Sequence, residues 1–206
     1  MKYLAHISED GIREHTVLEH SRNVAELAGK FADRFHAGSL WYCCGMMHDI
    51  GKHSQAFQLR LKGGPAVDHS TAGAKELNRK KGFHALAAYC TAGHHAGLPD
   101  GGEKADSPGA ATLQGRLKKN VPEYGDYQKE IAIPELENPA VKMIGKGGFT
   151  VSFFLRMIYS CLVDADFLDT EQFMKDGDTA REPEGISEKH LEKLLAYVGG
   201  WLNNTD

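Results

Sequence analysis

The sequence has little of what disulfide-stabilised, exported or membrane-spanning proteins need. Its 206 residues include four cysteines, no two of them spaced as C-x-x-C, and all four fall in apolar segments. We therefore expect buried, reduced thiols rather than disulfides or a cysteine metal site. No segment approaches the run of about 20 apolar residues that spans a bilayer, and the first residues lack the apolar core of a signal peptide. The expected location is the cytoplasm, away from membranes.

A large excess of positive charge is also missing. The formal net charge is −4, so the chain has no general electrostatic attraction for nucleic acid, although a local basic patch is compatible with this value. The G-x-x-x-x-G-K-[ST] loop of many nucleotide-binding proteins is absent as well. The apolar content of 41% is typical of an ordinary globular protein. At this length we expect residues 1–206 to form a single domain with one core.

Helical periodicity dominates the rest of the sequence. Between residues 17 and 35, apolar side chains recur every three or four positions, and His20 falls on the same face as they do. Further helices are predicted over residues 39–47, 54–62, 68–81, 84–95, 149–167 and 187–202, with Ser39 and Asp68 as N-caps. No convincing strand is found. The predicted fold class is all-α, a helical bundle.

The segment from residue 97 to residue 148 breaks this pattern. Five of the seven prolines fall there, together with many glycines and no sustained periodicity. Glycine and proline at this density predict loops that carry short helices. Because a long irregular segment inside a compact domain is usually functional or mobile, we expect this loop-rich insertion to form a wall of the binding site.

The most informative feature is the adjacent pair His48-Asp49, with more histidines at helix ends or on buried helix faces: His20, His69, His94 and His95. Histidine offers nitrogen to transition metals, and one carboxylate can give an oxygen to each of two ions. On the late helix, Asp166 continues the apolar stripe, whereas Asp164 lies about 200° away from it. A buried carboxylate needs a cation or another partner. These residues predict a metal site of the open, catalytic kind, since cysteine takes no part in it.

Each of these residues also has a simpler interpretation. A single buried histidine is more often a hydrogen-bonded core residue than a ligand. Protonated imidazoles at His94 and His95 can simply interact with the negative, C-terminal end of a helix dipole. Asp166 can pair with an arginine such as Arg156. The coincidence of five histidines and two aspartates favours the metal site. The remaining histidines are assigned to the surface or to positions behind the ligands: His6, His15, His36, His53, His84 and His190.

Four short segments carry a resemblance to a known family. They are CGMMHDIGK, which contains His48 and Asp49, then DHSTAGA, AGHHAGLPD and LVDADFLDT. Their order over a helical chain, from residue 14 to residue 171, resembles the HD phosphohydrolase superfamily. The DHSTAGA segment and the doubled histidine are the more specific features, and with them the chain looks like the HD nuclease domain of the CRISPR-associated type I effector helicase-nuclease.

This resemblance implies a metal-dependent endo- or exodeoxyribonuclease that degrades single-stranded DNA in antiviral defence. It implies two divalent metal ions: the first held by His20, His48, Asp49 and Asp166, and the second by Asp49, as a bridge, with His69, His94 and His95. Asp164 stays open as an alternative to Asp166. The catalytic residues implied are Asp49 and Lys52, the latter in contact with the phosphate. Ligands rich in nitrogen favour Mn, Fe, Co or Ni over Mg, which prefers oxygen.

The resemblance also implies partners. They are an ATP-dependent helicase, present as a domain or a subunit, that supplies the DNA, and through it a CRISPR RNA-guided surveillance complex. The chain has no helicase motif, so we expect either a free-standing subunit or an excised domain. Two other functions stay open: a nucleotide or cyclic-nucleotide phosphohydrolase with a closed pocket, and a non-catalytic interaction module that metals stabilise. Lys52 beside an open metal face argues against the non-catalytic module.

Overall fold

The structure is a computed structural model that describes residues 2–32, 37–137, 145, 147–175 and 188–202, with side chains up to residue 200. Its helices are α1 (Val17–Ala32), α2 (Gly38–Met47), α3 (Gln55–Arg60), α4 (Ser70–Lys80), α5 (His84–Gly93), α6 (Leu113–Leu117), α7 (Gly148–Met174) and α8 (Glu188–Leu202), with 3-10 turns at Ile50–His53 and Gly125–Lys129. The described chain is thus mostly helical, which confirms the predicted fold class. Of these helices, none combines the length and apolar character that crossing a membrane requires.

A short β-hairpin precedes the first helix, so the expectation of no strand was wrong. Strand β1 (Leu4–Ile7) pairs antiparallel with β2 (Glu14–Thr16), and His6 lies opposite His15. Strands of three and four residues are too short to show a clear alternation of apolar and polar residues. Histidine at the inward positions also makes the buried face look polar. The hairpin brings both histidines against α1, since the rings of His6 and His20 are 4.8 Å apart.

Helix α2 lies at the centre of the bundle. Seven of its ten residues are buried, so it is apolar on nearly every side, and it contacts α1, α5 and α7. Trp41 on this helix is fully buried and packs edge-to-face on Phe154 of α7. All four cysteines are free and buried, as predicted from their apolar surroundings. The core therefore surrounds the helix that leads directly into His48.

Several boundaries differ from the predicted ones. Ser39 is not the N-cap of α2: Ala37 takes that position, and the Ser39 hydroxyl instead accepts a hydrogen bond from the Glu137 amide at 3.2 Å. Asp68 does accept the Thr71 amide at 3.1 Å, the bond expected of a cap, although α4 begins at Ser70. The late helix runs on well past residue 167, to Met174.

The loop-rich insertion is confirmed in the described residues of the 97–148 segment, where α6 and a 3-10 turn interrupt the loops. The ends of two predicted helices, residues 33–35 and residue 187, lie outside the described residues, as does His36.

Three glycines allow the helices to approach closely around the end of α2. A Cβ atom on Gly45 would overlap the backbone of Ala25 on α1, and one on Gly73 of α4 would overlap the Met47 carbonyl. A Cβ on Gly51 would overlap the carbonyl of His69. Because backbone cannot yield as a flexible side chain can, these positions require glycine. The glycines therefore set how near α1 and α4 lie to the His48-Asp49 turn.

Replacing Gly73 with alanine should lower the free energy of unfolding by about 1–3 kcal/mol, since an added methyl must push α4 away from the turn. Gly29→Ala is the matched control: Gly29 is also helical, and its Cβ would meet nothing within 4 Å. The control should leave stability unchanged or raise it by about 0.5–1 kcal/mol. Urea titration measures both, and a Gly73→Ala protein as stable as the control would contradict the close-packing argument.

Candidate metal centre

The fold brings together all seven residues predicted to bind metal. His20 lies on the buried face of α1 and Asp166 on α7, while the others lie at helix ends. His48 follows α2, His69 precedes α4, and His94 follows α5. Their ligand atoms form two groups in which all atoms lie within 4.8 Å of one another: His20, His48, Asp49 and Asp166, and Asp49, His69, His94 and His95. Their role as metal ligands stays a prediction.

Asp49 belongs to both groups and is fully buried between them. Its Oδ2 atom lies 3.2 Å from Nε2 of His20 and 3.3 Å from Nε2 of His48. Its Oδ1 atom lies 3.4 Å from Nε2 of both His69 and His94. Each oxygen of one carboxylate thus faces a different set of imidazole nitrogens, which is the arrangement needed for a residue that bridges two ions.

Asp166 completes the group nearest the core. Its Oδ1 atom lies 3.2 Å from His20 Nε2 and 3.7 Å from His48 Nε2. Asp164 points away and is exposed, so the geometry distinguishes the two carboxylates that the sequence left open. The alternative partner of Asp166 is not observed either, since Arg156 bonds to Ser152 on its own helix. The apolar stripe of α7 directs Asp166 inward.

Backbone carbonyls fix the orientation of two of the histidine rings. Nδ1 of His48 lies 2.7 Å from the Gly45 carbonyl oxygen, and Nδ1 of His94 lies 2.7 Å from that of Thr91. A carbonyl only accepts, so Nδ1 carries the proton and donates it in each case. Each histidine comes directly after a helix, and its hydrogen bond goes to the carbonyl three residues earlier, in the last turn of that helix. The bond leaves Nε2 directed at Asp49, as in metal-binding histidines whose other nitrogen is held by a carbonyl.

The two groups suit divalent cations, because several buried ligand atoms lack any other partner. Asp49 Oδ1 and His94 Nε2 have no hydrogen-bond partner among the described residues, which is costly for buried polar atoms. Facing nitrogens also approach closely: His20 Nε2 lies 3.2 Å from His48 Nε2, and His69 Nε2 lies 2.9 Å from His95 Nε2. Two ligand atoms about 2.1 Å from one ion are themselves about 3.0–3.4 Å apart, so the first separation lies within this range and the second is about 0.1 Å below it.

The histidines of the two ligand groups differ in their pKa values. Burial lowers the pKa of His69 and of His95 to about 4 each, so both imidazoles are neutral near pH 7 and offer a lone pair. In the group that contains His20 and His48, burial disfavours the protonated imidazoles. The nearby carboxylates have the larger effect, and they raise the pKa of His20 to about 9 and that of His48 to about 10. Burial alone raises the pKa of Asp49, yet His48 and Lys52 hold it well below its usual range. A metal ion entering that group would release protons from the two imidazoles.

Lys52 is more enclosed than the resemblance implies. It is buried in the 3-10 turn after Asp49, and its Nζ atom lies 2.6 Å from Asp49 Oδ2. His6 Nε2 is 3.5 Å from the same ammonium group, and the Phe57 ring centroid is 5.4 Å away. The lysine is therefore paired with the central carboxylate rather than free, and its contact with a phosphate stays a prediction.

Asp169 and His15 lie buried beside His20, and neither was singled out from the sequence. Asp169, one turn beyond Asp166 on α7, lies 2.6 Å from Nδ1 of His20 and is almost fully buried. His15 is buried beside them and was assigned only generally, to the surface or behind the ligands. His53 is also buried, with its Nε2 3.3 Å from Glu130. The signal for Asp169 was present, because it continues the buried stripe three residues after Asp166.

Buried histidines and aspartates converge here from separate helices, and together they form two groups that could hold divalent metal. The HD-domain family profile matches residues 17–131, which is more than half of the chain and includes every predicted ligand except Asp166. The chain belongs to the HD-domain family, a family of metal-dependent phosphohydrolases. A search of curated proteins finds no match to the sequence. Family and geometry together indicate a hydrolase centre that can hold divalent metal.

Removing one ligand from the more exposed group should lower the metal content from the predicted two ions per chain toward one. We expect this result for His95→Ala and for His94→Ala, whereas Asp49→Asn should reduce occupancy of both groups because each group uses one of its oxygens. Exposed His190 on α8 provides the control variant, His190→Ala. Elemental analysis of each purified protein measures the count. Two ions retained in His95→Ala would show that the second ligand set is wrongly assigned.

Proposed function

We propose that this protein is a metal-dependent nuclease that hydrolyses phosphodiester bonds of single-stranded DNA. The observation that carries the proposal is an open groove at the exposed side of the metal centre. The groove has a volume of about 490 Å³, and two predicted ligands line it, His69 and His95. An open groove suits a polymer that extends beyond the reacting phosphate, whereas a small nucleotide is usually held in a more enclosed pocket.

Two basic side chains line the groove, although the chain as a whole is acidic, and one of them, Lys52, is paired with Asp49. Lys52 and Arg60 line it, along with apolar side chains from α3 and the loop after it. None of the described residues of the 97–148 insertion lines this groove, so the expectation that the insertion forms a wall of the binding site is not met there. Arg60 is exposed, and within the described part of the chain its guanidinium group makes no hydrogen bond or ion pair. An arginine without an internal partner beside a phosphohydrolase centre is well suited to bind a second phosphate of the same strand. This local charge is the basic patch that a net charge of −4 leaves possible.

The chain's own residues would divide the work of hydrolysis. Bound divalent ions supply a Lewis acid for the phosphoryl oxygens and lower the pKa of water. Asp49 directs one oxygen into each ligand group and so fixes the two groups relative to each other. Lys52 pairs with Asp49 and also lines the groove. We propose that its ammonium group stabilises charge on a phosphate oxygen. The nitrogen-rich ligand set favours Mn, Fe, Co or Ni over Mg.

We further propose that the protein acts in CRISPR type I interference, with DNA supplied by an ATP-dependent helicase. The support is the sequence resemblance, above all DHSTAGA around His69 and the doubled histidine of AGHHAGLPD. Both segments contribute ligands to the group that borders the groove, so the specific part of the resemblance lies where substrate would bind. The helicase, and through it an RNA-guided surveillance complex, are the proposed partners.

Cleavage of circular single-stranded DNA tests the nuclease directly. Metal-stripped protein should cut the circle when Mn, Ni or Co is added back and much less with Mg. Asp49→Asn should abolish cutting, because neither ligand group keeps its shared carboxylate. The matched control is Asp164→Asn, the same chemical change at an exposed position, which should cut at the wild-type rate.

The substrate panel separates the proposed function from its alternatives. Intact circles with every ion, combined with hydrolysis of a nucleotide or cyclic nucleotide, would assign the centre to small substrates. Intact circles together with inert nucleotides would favour a module that metals stabilise without catalysis.

Arg60→Gln should raise the KM for single-stranded DNA about tenfold and leave kcat unchanged, because one charge-assisted hydrogen bond of about 1.5 kcal/mol is lost. The same variant should hydrolyse bis(p-nitrophenyl) phosphate normally, since that diester has no second phosphate to reach the groove. Arg22→Gln, at an exposed position on α1, is the control. Steady-state kinetics on both substrates measure these values. Equal KM values for DNA in Arg60→Gln and Arg22→Gln would show that Arg60 does not contribute to DNA binding.

A further inference from the structure

A buried carboxylate outside the two ligand groups contacts one of the predicted ligands. Asp169 is 4% exposed, and its Oδ2 atom lies 2.6 Å from His20 Nδ1. Its other oxygen accepts a hydrogen bond from the side-chain amide of Asn23 at 2.7 Å. His20 comes from α1 and Asp169 from α7, so this contact joins the helices that supply two members of the core-side group, which we define as His20, His48, Asp49 and Asp166. The groove-side group is Asp49, His69, His94 and His95.

The 2.6 Å separation identifies the contact as a hydrogen bond. Two ligands of one cation, each about 2.1 Å from it, would lie about 3.0–3.4 Å apart. His15, Asp169 and His20 therefore do not form a third ion site, although their ligand atoms lie within 4.8 Å of one another. A carboxylate cannot donate when ionised, so His20 Nδ1 must carry the shared proton. The Nε2 atom is then the one directed at Asp49 and Asp166.

We propose that Asp169, held by Asn23, is a positioning residue that fixes the ring of His20 and sets the metal affinity of the core-side group. The physical basis is that a negative partner on the far nitrogen orients an imidazole and makes its other nitrogen a stronger ligand. Backbone carbonyls do this for His48 and His94, whereas His20 lies within a helix and has its Nδ1 bonded to a side chain instead. The inference requires metal binding at this centre and does not depend on the nuclease activity.

The test measures metal affinity in a background with one ion site. His95→Ala is expected to remove the groove-side ion, so Mn²⁺ binding to that variant reports the core-side group alone. Adding Asp169→Asn should weaken the remaining site about 10–100-fold, the usual effect of losing such a partner. Free Mn²⁺ is followed by electron paramagnetic resonance during titration of metal-stripped protein, with no DNA present.

A milder variant and a matched control guard against a general loss of structure. Asn23→Ala removes only the bond that holds Asp169, at a largely exposed position, and should weaken the same site severalfold. Asp164→Asn changes an exposed carboxylate of the same helix and should leave the affinity unchanged. In an otherwise wild-type chain, Asp169→Asn should weaken the core-side site far more than the groove-side site, with little change in the melting temperature of the metal-free protein.

Three results would overturn the proposal. Unchanged Mn²⁺ affinity in Asp169→Asn would show that the hydrogen bond does not tune His20. Equal weakening of both sites would indicate a structural role for Asp169 instead. A third bound ion in the wild-type protein, lost in His15→Ala, would make Asp169 a ligand. None of these results depends on whether the protein cuts DNA, so failure of this inference and failure of the proposed nuclease function remain distinguishable.

Discussion

The whole centre depends on one carboxylate, that of Asp49, being buried between two sets of imidazole nitrogens. An ionised carboxylate inside a protein is strongly unfavourable unless positive charge or hydrogen bonds compensate it. Here the compensation comes from Lys52, from protonated histidines or from metal ions, and all of these must lie within a few ångströms. That requirement explains the tight helix approaches at Gly45 and Gly73, because larger residues would hold the ligands too far from the carboxylate.

The two ligand groups have different surroundings, and the difference matches their expected roles. The core-side group is closed by the hairpin, α1 and α7, and its His20 is fully buried and bonded to Asp169. The groove-side group includes His95, which is exposed and lines the open groove. A substrate phosphate would therefore approach from the groove side, because His20 and His48 of the other group are fully buried. Hydrogen bonds such as that between His20 and Asp169 orient the ligands, and activity depends on ligand orientation.

Membership of the HD-domain family establishes the reaction class but not the substrate. Metal-dependent phosphohydrolysis follows from the family and from a ligand set that can hold divalent ions. Choosing between a polymer and a small nucleotide depends on features outside the ligands, here the groove and its exposed Arg60. Function within a family is decided by such surrounding residues, because the scaffold is shared by enzymes with different substrates.

The sequence by itself determined the helical fold, the seven candidate ligands and the choice of a metal centre. These follow from local information: periodicity along each helix, the chemistry of histidine and aspartate, and the DHSTAGA and AGHHAGLPD segments. The apolar stripe of the late helix favours Asp166 over Asp164, but only the tertiary structure decided that Asp166 reaches His20 and His48, that Lys52 pairs with Asp49, and that Asp169 contacts His20. It also revealed the hairpin and its buried His15. The physical reason is that these contacts join residues distant in sequence, such as His20 and Asp169, and periodicity shows which face is buried but not which residue lies opposite.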